Sequence, residues 1–149
     1  MPLALLLGAP AAPPALAQAR CNFLNPIGGN GATPIVAKQV GGGRLFGRTN
    51  WNTDFIVDKP YSTYKFFFTA NSSDGAAQYP VTGYMKFSDG SNLQLFNVTM
   101  SPPIGTGRMF GPYPSIPGKQ TSQMNFKVGS SSDVGATGFS YRISVQGCF

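Results

Sequence analysis

The chain has 149 residues, of which 42% are hydrophobic, 13% aromatic and only 11% charged, with a formal net charge of +6. That is enough apolar surface for one packed domain and excludes wholesale disorder; 19 glycines and 13 prolines argue against a helical bundle and for short strands joined by turns. There is no His, and all five acidic residues are Asp, which excludes a His general base, a Ser–His or Cys–His dyad and a His-ligated metal.

Residues 1–19 carry no charge. Leu3-Ala4-Leu5-Leu6-Leu7 is an apolar core, and the Ala/Pro-rich stretch after it ends in Ala17-Gln18-Ala19. Small residues at the −3 and −1 positions fit the narrow pockets of signal peptidase, so 1–19 reads as a secretory signal peptide and 20–149 as one exported domain. A retained low-complexity leader is the rival reading. A membrane anchor is disfavoured, because Pro10, Pro13 and Pro14 interrupt a run already too short to span a bilayer. No Lys or Arg precedes the apolar core, a departure from the usual signal pattern.

Cys21 and Cys148 stand near the two ends of the exported segment. In an oxidising compartment this pair reads as a disulfide, against the alternatives of two free thiols or a link between chains. Closing so long a loop is worth about 5 kcal/mol in the chain-entropy model, less any strain. The bridge places the Cα atoms within about 4.4–6.8 Å and lays Cys21–Leu24 beside the last strand, with Phe23 or Leu24 near the same core edge as Phe149.

The strand pattern follows in order. Asn25–Pro34 reads as an opening loop and Ile35–Val40 as a short strand ended by Gly41-Gly42-Gly43. Trp51–Val57 and Tyr61–Ala70 are strands divided by Asp58-Lys59-Pro60. The second contains Tyr64-Lys65-Phe66-Phe67-Phe68, a run expected of a strand covered on both faces. A turn is expected at Ser72-Ser73-Asp74-Gly75. Val81–Phe87 and Leu93–Met100 form a β-hairpin around Ser88-Asp89-Gly90-Ser91. Ser101–Gly118 is so rich in Pro and Gly that no ladder is expected through it. Gln120–Val128 and Thr137–Gln146 alternate cleanly on either side of a polar loop at Gly129–Asp133. No segment shows the spacing of an amphipathic helix. The fold class is all-β: a β-sandwich, jelly-roll or immunoglobulin-like, of about seven to eight antiparallel strands with disulfide-joined termini.

Chemistry is sparse. Ser62-Thr63-Tyr64-Lys65 matches S-x-x-K, but on a strand residues three apart point to opposite faces. Asp54 and Asp58 would stand roughly 13 Å apart along a strand, too far for a glycosidase pair. No metal, cofactor or catalytic residue is expected. The eleven Lys and Arg are scattered from Arg20 to Arg142, unlike the concentrated charge of a nucleic-acid binder. Asn71-Ser72-Ser73 and Asn97-Val98-Thr99 are N-glycosylation sequons; Asn97 falls within a predicted strand, so Asn71 is expected to be the accessible one. The candidate ligand or subunit contacts are Trp51 and the Pro/Gly-segment residues Met109, Phe110 and Tyr113. The competing expectation is that those side chains fold back to cap the sandwich.

The stretch Gly47-Arg48-Thr49-Asn50-Trp51-Asn52-Thr53-Asp54-Phe55, between an early Cys and the terminal Gly147-Cys148, resembles small exported cyanobacterial proteins of unknown function. That resemblance implies export and carries no activity. Chaperone–usher pilins also combine a signal peptide, a disulfide and an incomplete β-sandwich. This chain departs from them, with cysteines at both ends and no alternating donor strand before Cys21. The resulting expectation is a secreted, non-enzymatic structural protein of the cell surface or extracellular matrix, a self-associating filament or coat subunit. The alternative is an extracellular carbohydrate-binding module that uses the loop aromatics. Expected partners are further copies or extracellular polysaccharide, not nucleic acid, with no transmembrane segment after the leader.

Overall fold

Where apolar and polar residues alternate, a strand presents one face to a core and one to water. The computed structural model describes residues 20–28, 33–39, 51–72, 79–100, 105–128 and 140–149. The leader 1–19, the glycine run 41–43, residues 73–75 of the turn after Ser72 and the loop 129–133 lie outside them, as do Val40, Phe139 and residues 47–50 of the cyanobacterial-like motif. The described strands are β1 (Cys21–Phe23), β2 (Asn25–Pro26), β3 (Val36–Gln39), β4 (Trp51–Ile56), β5 (Thr63–Ser72), β6 (Tyr79–Phe87), β7 (Asn92–Met100), β8 (Gly107–Pro114), β9 (Thr121–Val128) and β10 (Ser140–Cys148). That makes ten, against an expectation of seven to eight. All pairings are antiparallel. They build two sheets, β1-β10-β5-β8 with β3 also on β10, and β2-β4-β9-β6-β7. The fold is an all-β sandwich.

Alternation fixes which side chains enter it. Along β6, Tyr79, Val81, Gly83, Met85 and Phe87 are buried and the residues between them half-buried. In β5 the run expected to be covered on both faces instead alternates: Tyr64, Phe66, Phe68 and Ala70 are buried, while Lys65, Phe67 and Thr69 are half-buried. The aromatic density marks a large core face, not a second covered one. Phe68 and Tyr141 of the first sheet meet Phe126 of the second at centroid separations of 5.8 and 5.9 Å. Each such side chain, fully removed from water, contributes about 1.5–3 kcal/mol.

β10 organises the first sheet. One side pairs with β5 over its whole length; the other is shared, by β3 along Ser140–Ile143 and by β1 along Gln146–Cys148. Cys21 stands directly opposite Cys148 and is disulfide-bonded to it, with Cα atoms 4.1 Å apart. This is just below the expected interval; directly opposed residues lying between ladder hydrogen bonds already approach to about 4.5 Å, at the short end of that interval. Beyond the bridge, Phe149 N–H donates to the Arg20 carbonyl at 2.9 Å and Ser62 N–H to the Cys148 carbonyl at 2.7 Å. The Tyr61 ring lies over Gly147, where a Cβ would come within 2.4 Å of it, and packs on Phe149 at 4.9 Å. Leu24 is buried as expected of this edge; Phe23 and Phe149 stay 49% and 42% exposed.

Two segments read as loops are strands. Asn25–Pro26 pairs with β4, because the chain crosses from the first sheet to the second at Leu24, whose N–H donates to the Val145 carbonyl at 2.9 Å. β8 runs through the Pro/Gly segment, paired with β5. It tolerates Pro112 and Pro114 because it is an edge strand, and the register shift opposite Tyr64–Phe66 absorbs the extra residues. Among the described residues no helix is long and apolar enough to cross a membrane.

Two substitutions test this architecture. Gly83 pairs with Phe96, whose ring would lie 2.2 Å from a Cβ there. Gly83→Ala is expected to cost about 1–3 kcal/mol in urea denaturation by displacing that ring. Removing the bridge with Cys21→Ala and Cys148→Ala is expected to cost about 2–5 kcal/mol, and hydrogen exchange should then open β1 first.

Candidate functional site

The four candidate contact residues are not brought together. Trp51 opens β4 opposite Val128, and its side chain lies outside the described residues. The other three sit on β8, where strand alternation separates them. Met109, paired with Phe67, faces outward and is 47% exposed. Phe110 faces inward and is 4% exposed. The extra residues at Gly111–Pro112 turn Tyr113 inward as well, to a half-buried position. Its phenol pKa is raised by burial, with the Arg108 charge acting the other way.

Phe110 and Tyr113 belong to an aromatic seam. Phe96 of β7 stacks on Phe110 at 4.1 Å with the rings 8° from parallel, and on Tyr113 at 6.0 Å. Phe66 meets Phe96 edge-on at 5.3 Å. The seam joins the outermost strand of one sheet to the outermost strand of the other and closes that flank of the sandwich. Arg108 covers it from outside, 4.7 Å from the Phe110 centroid. Phe110 is therefore core, and Met109 is the β8 residue offered to solvent.

What the seam leaves open is β7. Its nine residues, Asn-Leu-Gln-Leu-Phe-Asn-Val-Thr-Met, carry no charge and no proline, and it ends the second sheet. The register on β6 slips at Leu95: Gln94 pairs with Tyr84 and Phe96 with Gly83. After the slip the strand is regular. Phe96, Val98 and Met100 are half-buried on the inner side, and Asn97 and Thr99 are exposed on the outer. The sequon residue Asn97 is thus accessible although it is in a strand, because the strand is an edge; the Asn71 side chain lies outside the described residues.

The other described edges are guarded or short, β1 having only the three residues Cys21–Phe23. β8 carries Arg108, Pro112 and Pro114. β3 has four residues including Lys38, and β2 has two, one of them Pro26. Lys38 Nζ donates to the Asn52 carbonyl at 2.7 Å, occupying part of the β4 edge that β2 does not cover. Partial burial lowers the Lys38 pKa, with Asp54 opposing. Charges and prolines on an edge oppose pairing with another strand; β7 has neither.

The outer face of the second sheet holds a polar row in register across four strands: Asp54, Asn125, Tyr84 and Gln94. Asn125 points outward yet is only 3% exposed. Its amide donates to Asp54 Oδ1 at 2.9 Å and Asn52 Oδ1 at 3.4 Å, Lys86 Nζ reaches Asp54 Oδ1 at 3.0 Å, and Tyr84 donates to Gln94 Oε1 at 3.3 Å. At the clasped end of the sandwich a cleft of about 490 Å³ opens beside Asp58, Lys59, Tyr61, Ser62 and Lys119. Lys119 is paired with Asp89 of the β6–β7 turn at 3.0 Å. The Ser91 hydroxyl and amide, and then Lys119, hold the Asp89 carboxyl down to about 2.

Compared with known proteins, the chain matches no family model, no curated protein and no solved structure.

Two measurements separate these placements. Phe110→Ala is expected to cost about 3–5 kcal/mol, whereas Met109→Ala should stay within about 0.5 kcal/mol of the parent. The depressed Asp89 pKa stabilises the fold above the unfolded value of 3.8, and that contribution disappears as pH falls towards about 2. Thermal melts between these pH values should therefore show a smaller loss for Asp89→Asn than for the parent.

Proposed function

We propose that this chain is an exported, non-enzymatic structural protein of the cell surface or extracellular matrix whose copies associate with one another. The observation that carries the reading is the β7 edge: nine uncharged residues without proline, in a sandwich whose other described edges are short, charged or proline-bearing. An edge left unguarded invites a further strand. Support for export comes from the apolar leader with its Ala17-Gln18-Ala19 end and from the Cys21–Cys148 bridge, since disulfides persist in oxidising compartments. The bridge also ties down both ends of a domain that works without intracellular repair. Sedimentation and light scattering of the exported protein, with electron microscopy of the producing cells, test this reading. Concentration-dependent association and surface or matrix material containing the chain are expected. A strict monomer at high concentration, with no such material, would remove it.

A second reading is a carbohydrate-binding module, favoured by Tyr84 and Gln94, which stand in register on the outer face of the second sheet. An amide and a tyrosine side by side match the hydroxyls and ring faces of a neutral sugar polymer. A glycan array with the parent and with Tyr84→Ala/Gln94→Ala decides it: binding lost in the double variant supports the module, and no binding by the parent excludes it.

A further inference from the structure

We propose that two copies of this chain pair antiparallel along β7 about a two-fold axis at Val98, merging their second sheets into one continuous sheet; this rests on the self-association reading above. The register slip at Leu95 leaves Phe96–Met100 as the regular stretch of the edge. Its polarity reads nearly the same in both directions: Phe, Asn, Val, Thr, Met. Antiparallel pairing about Val98 sets Asn97 opposite the partner's Thr99 on the outer face, polar against polar. On the inner face it sets Phe96 opposite the partner's Met100, a ring against a thioether, which is a favourable contact. Val98 meets the partner's Val98, a β-branched pair suited to a sheet. A slip of one residue would put every inner side chain against an outer one, so the pattern selects its own register.

The occupant is a second copy because the edge is uncharged. Self-pairing about a two-fold at Val98 sets Asn97 against the partner's Thr99, so like charges at both positions would face each other across the axis. β7 has none. A partner chosen by charge would call for a charged edge, and a hydrophobic groove-binder would call for a concavity here. The flank is instead filled by the Phe96–Phe110 stack, which holds β7 in place with the edge that no described strand covers facing outward. The paired surface is self-complementary, as a two-fold contact requires.

Sedimentation equilibrium on the exported protein, purified from an oxidising compartment, tests the pairing. The variant Asn97→Lys/Thr99→Lys alters only exposed side chains and keeps the β6–β7 ladder. Two lysines on each copy then face two on the other, and dimerisation is expected to weaken at least about tenfold, with the melting temperature unchanged at a dilution where the parent is also monomeric. Asn97→Asp/Thr99→Asp should behave in the same way alone. An equimolar mixture of the two variants should recover dimers, as mixed pairs, because each Lys then opposes an Asp. Gln120→Lys, which adds charge away from the edge, should dimerise like the parent. A parent dimer indifferent to both double variants, or a mixture that stays monomeric, overturns the β7 pairing and leaves self-association standing through another surface. A parent monomer overturns both.

Discussion

The nine residues of β10 hold β5 along one side and β1 and β3 along the other, so the first sheet is drawn from both ends and the middle of the chain. Chain neighbours rarely pair: among the described strands, β6 and β7 alone are consecutive and adjacent in a sheet. The last strand must be in place before the first can find a partner, and closing such long loops is costly in chain entropy and slow. The Cys21–Cys148 bond answers that cost directly, by shortening the search in the unfolded chain between the segments that β10 has to gather.

Packing at the two flanks follows from aromatic rings laid over glycines. Tyr61 over Gly147 closes the clasped end, and Phe96 over Gly83 seats β7 on β6. A glycine weakens a strand because it offers nothing to pack; a ring from the neighbouring strand or loop restores the contact. Because Phe96 is committed to Gly83 beneath it and to Phe110 beside it, the inner side of β7 is anchored while its outer backbone edge meets no strand among the described residues. The surface proposed for association is thus a product of core packing, and the seam and the edge are two sides of one strand.

Alternation made β6, β9 and β10 readable in the sequence, because each keeps one apolar face along most of its length despite a register shift in its pairing. The cysteine positions made the clasp readable as well. β8 was not, since its prolines count against a strand unless the strand is known to lie at an edge, and edge position depends on partners far away in sequence. The expectation that the β8 aromatics fold back to cap the sandwich holds for Phe110, but its partner Phe96 was not legible, because that stack is a tertiary contact with no local signature. Both register slips do leave a trace. In β7 the apolar parity jumps between Leu95 and Phe96, and in β8 the inward residues Phe110 and Tyr113 are three apart instead of two. Reading the second break as a bulge would have kept β8 intact; β7 was already expected as Leu93–Met100, and its own break marks the polar outer face of an uncharged run. Which strand lies outermost is a property of sheet order, which alternation does not encode.

Lys38 on the Asn52 carbonyl, the prolines of β8 and the brevity of β2 have a joint consequence for stoichiometry. In the language of polymer chemistry, a sandwich with two open edges is a bifunctional monomer and its sheets lengthen without limit, as in amyloid. A sandwich with one open edge has a functionality of one, and each strand-to-strand contact it makes terminates growth. In the proposed β7 pairing the guards therefore act as chain stoppers: strand pairing would end at two copies, and a larger array would have to grow from those pairs through side-chain faces.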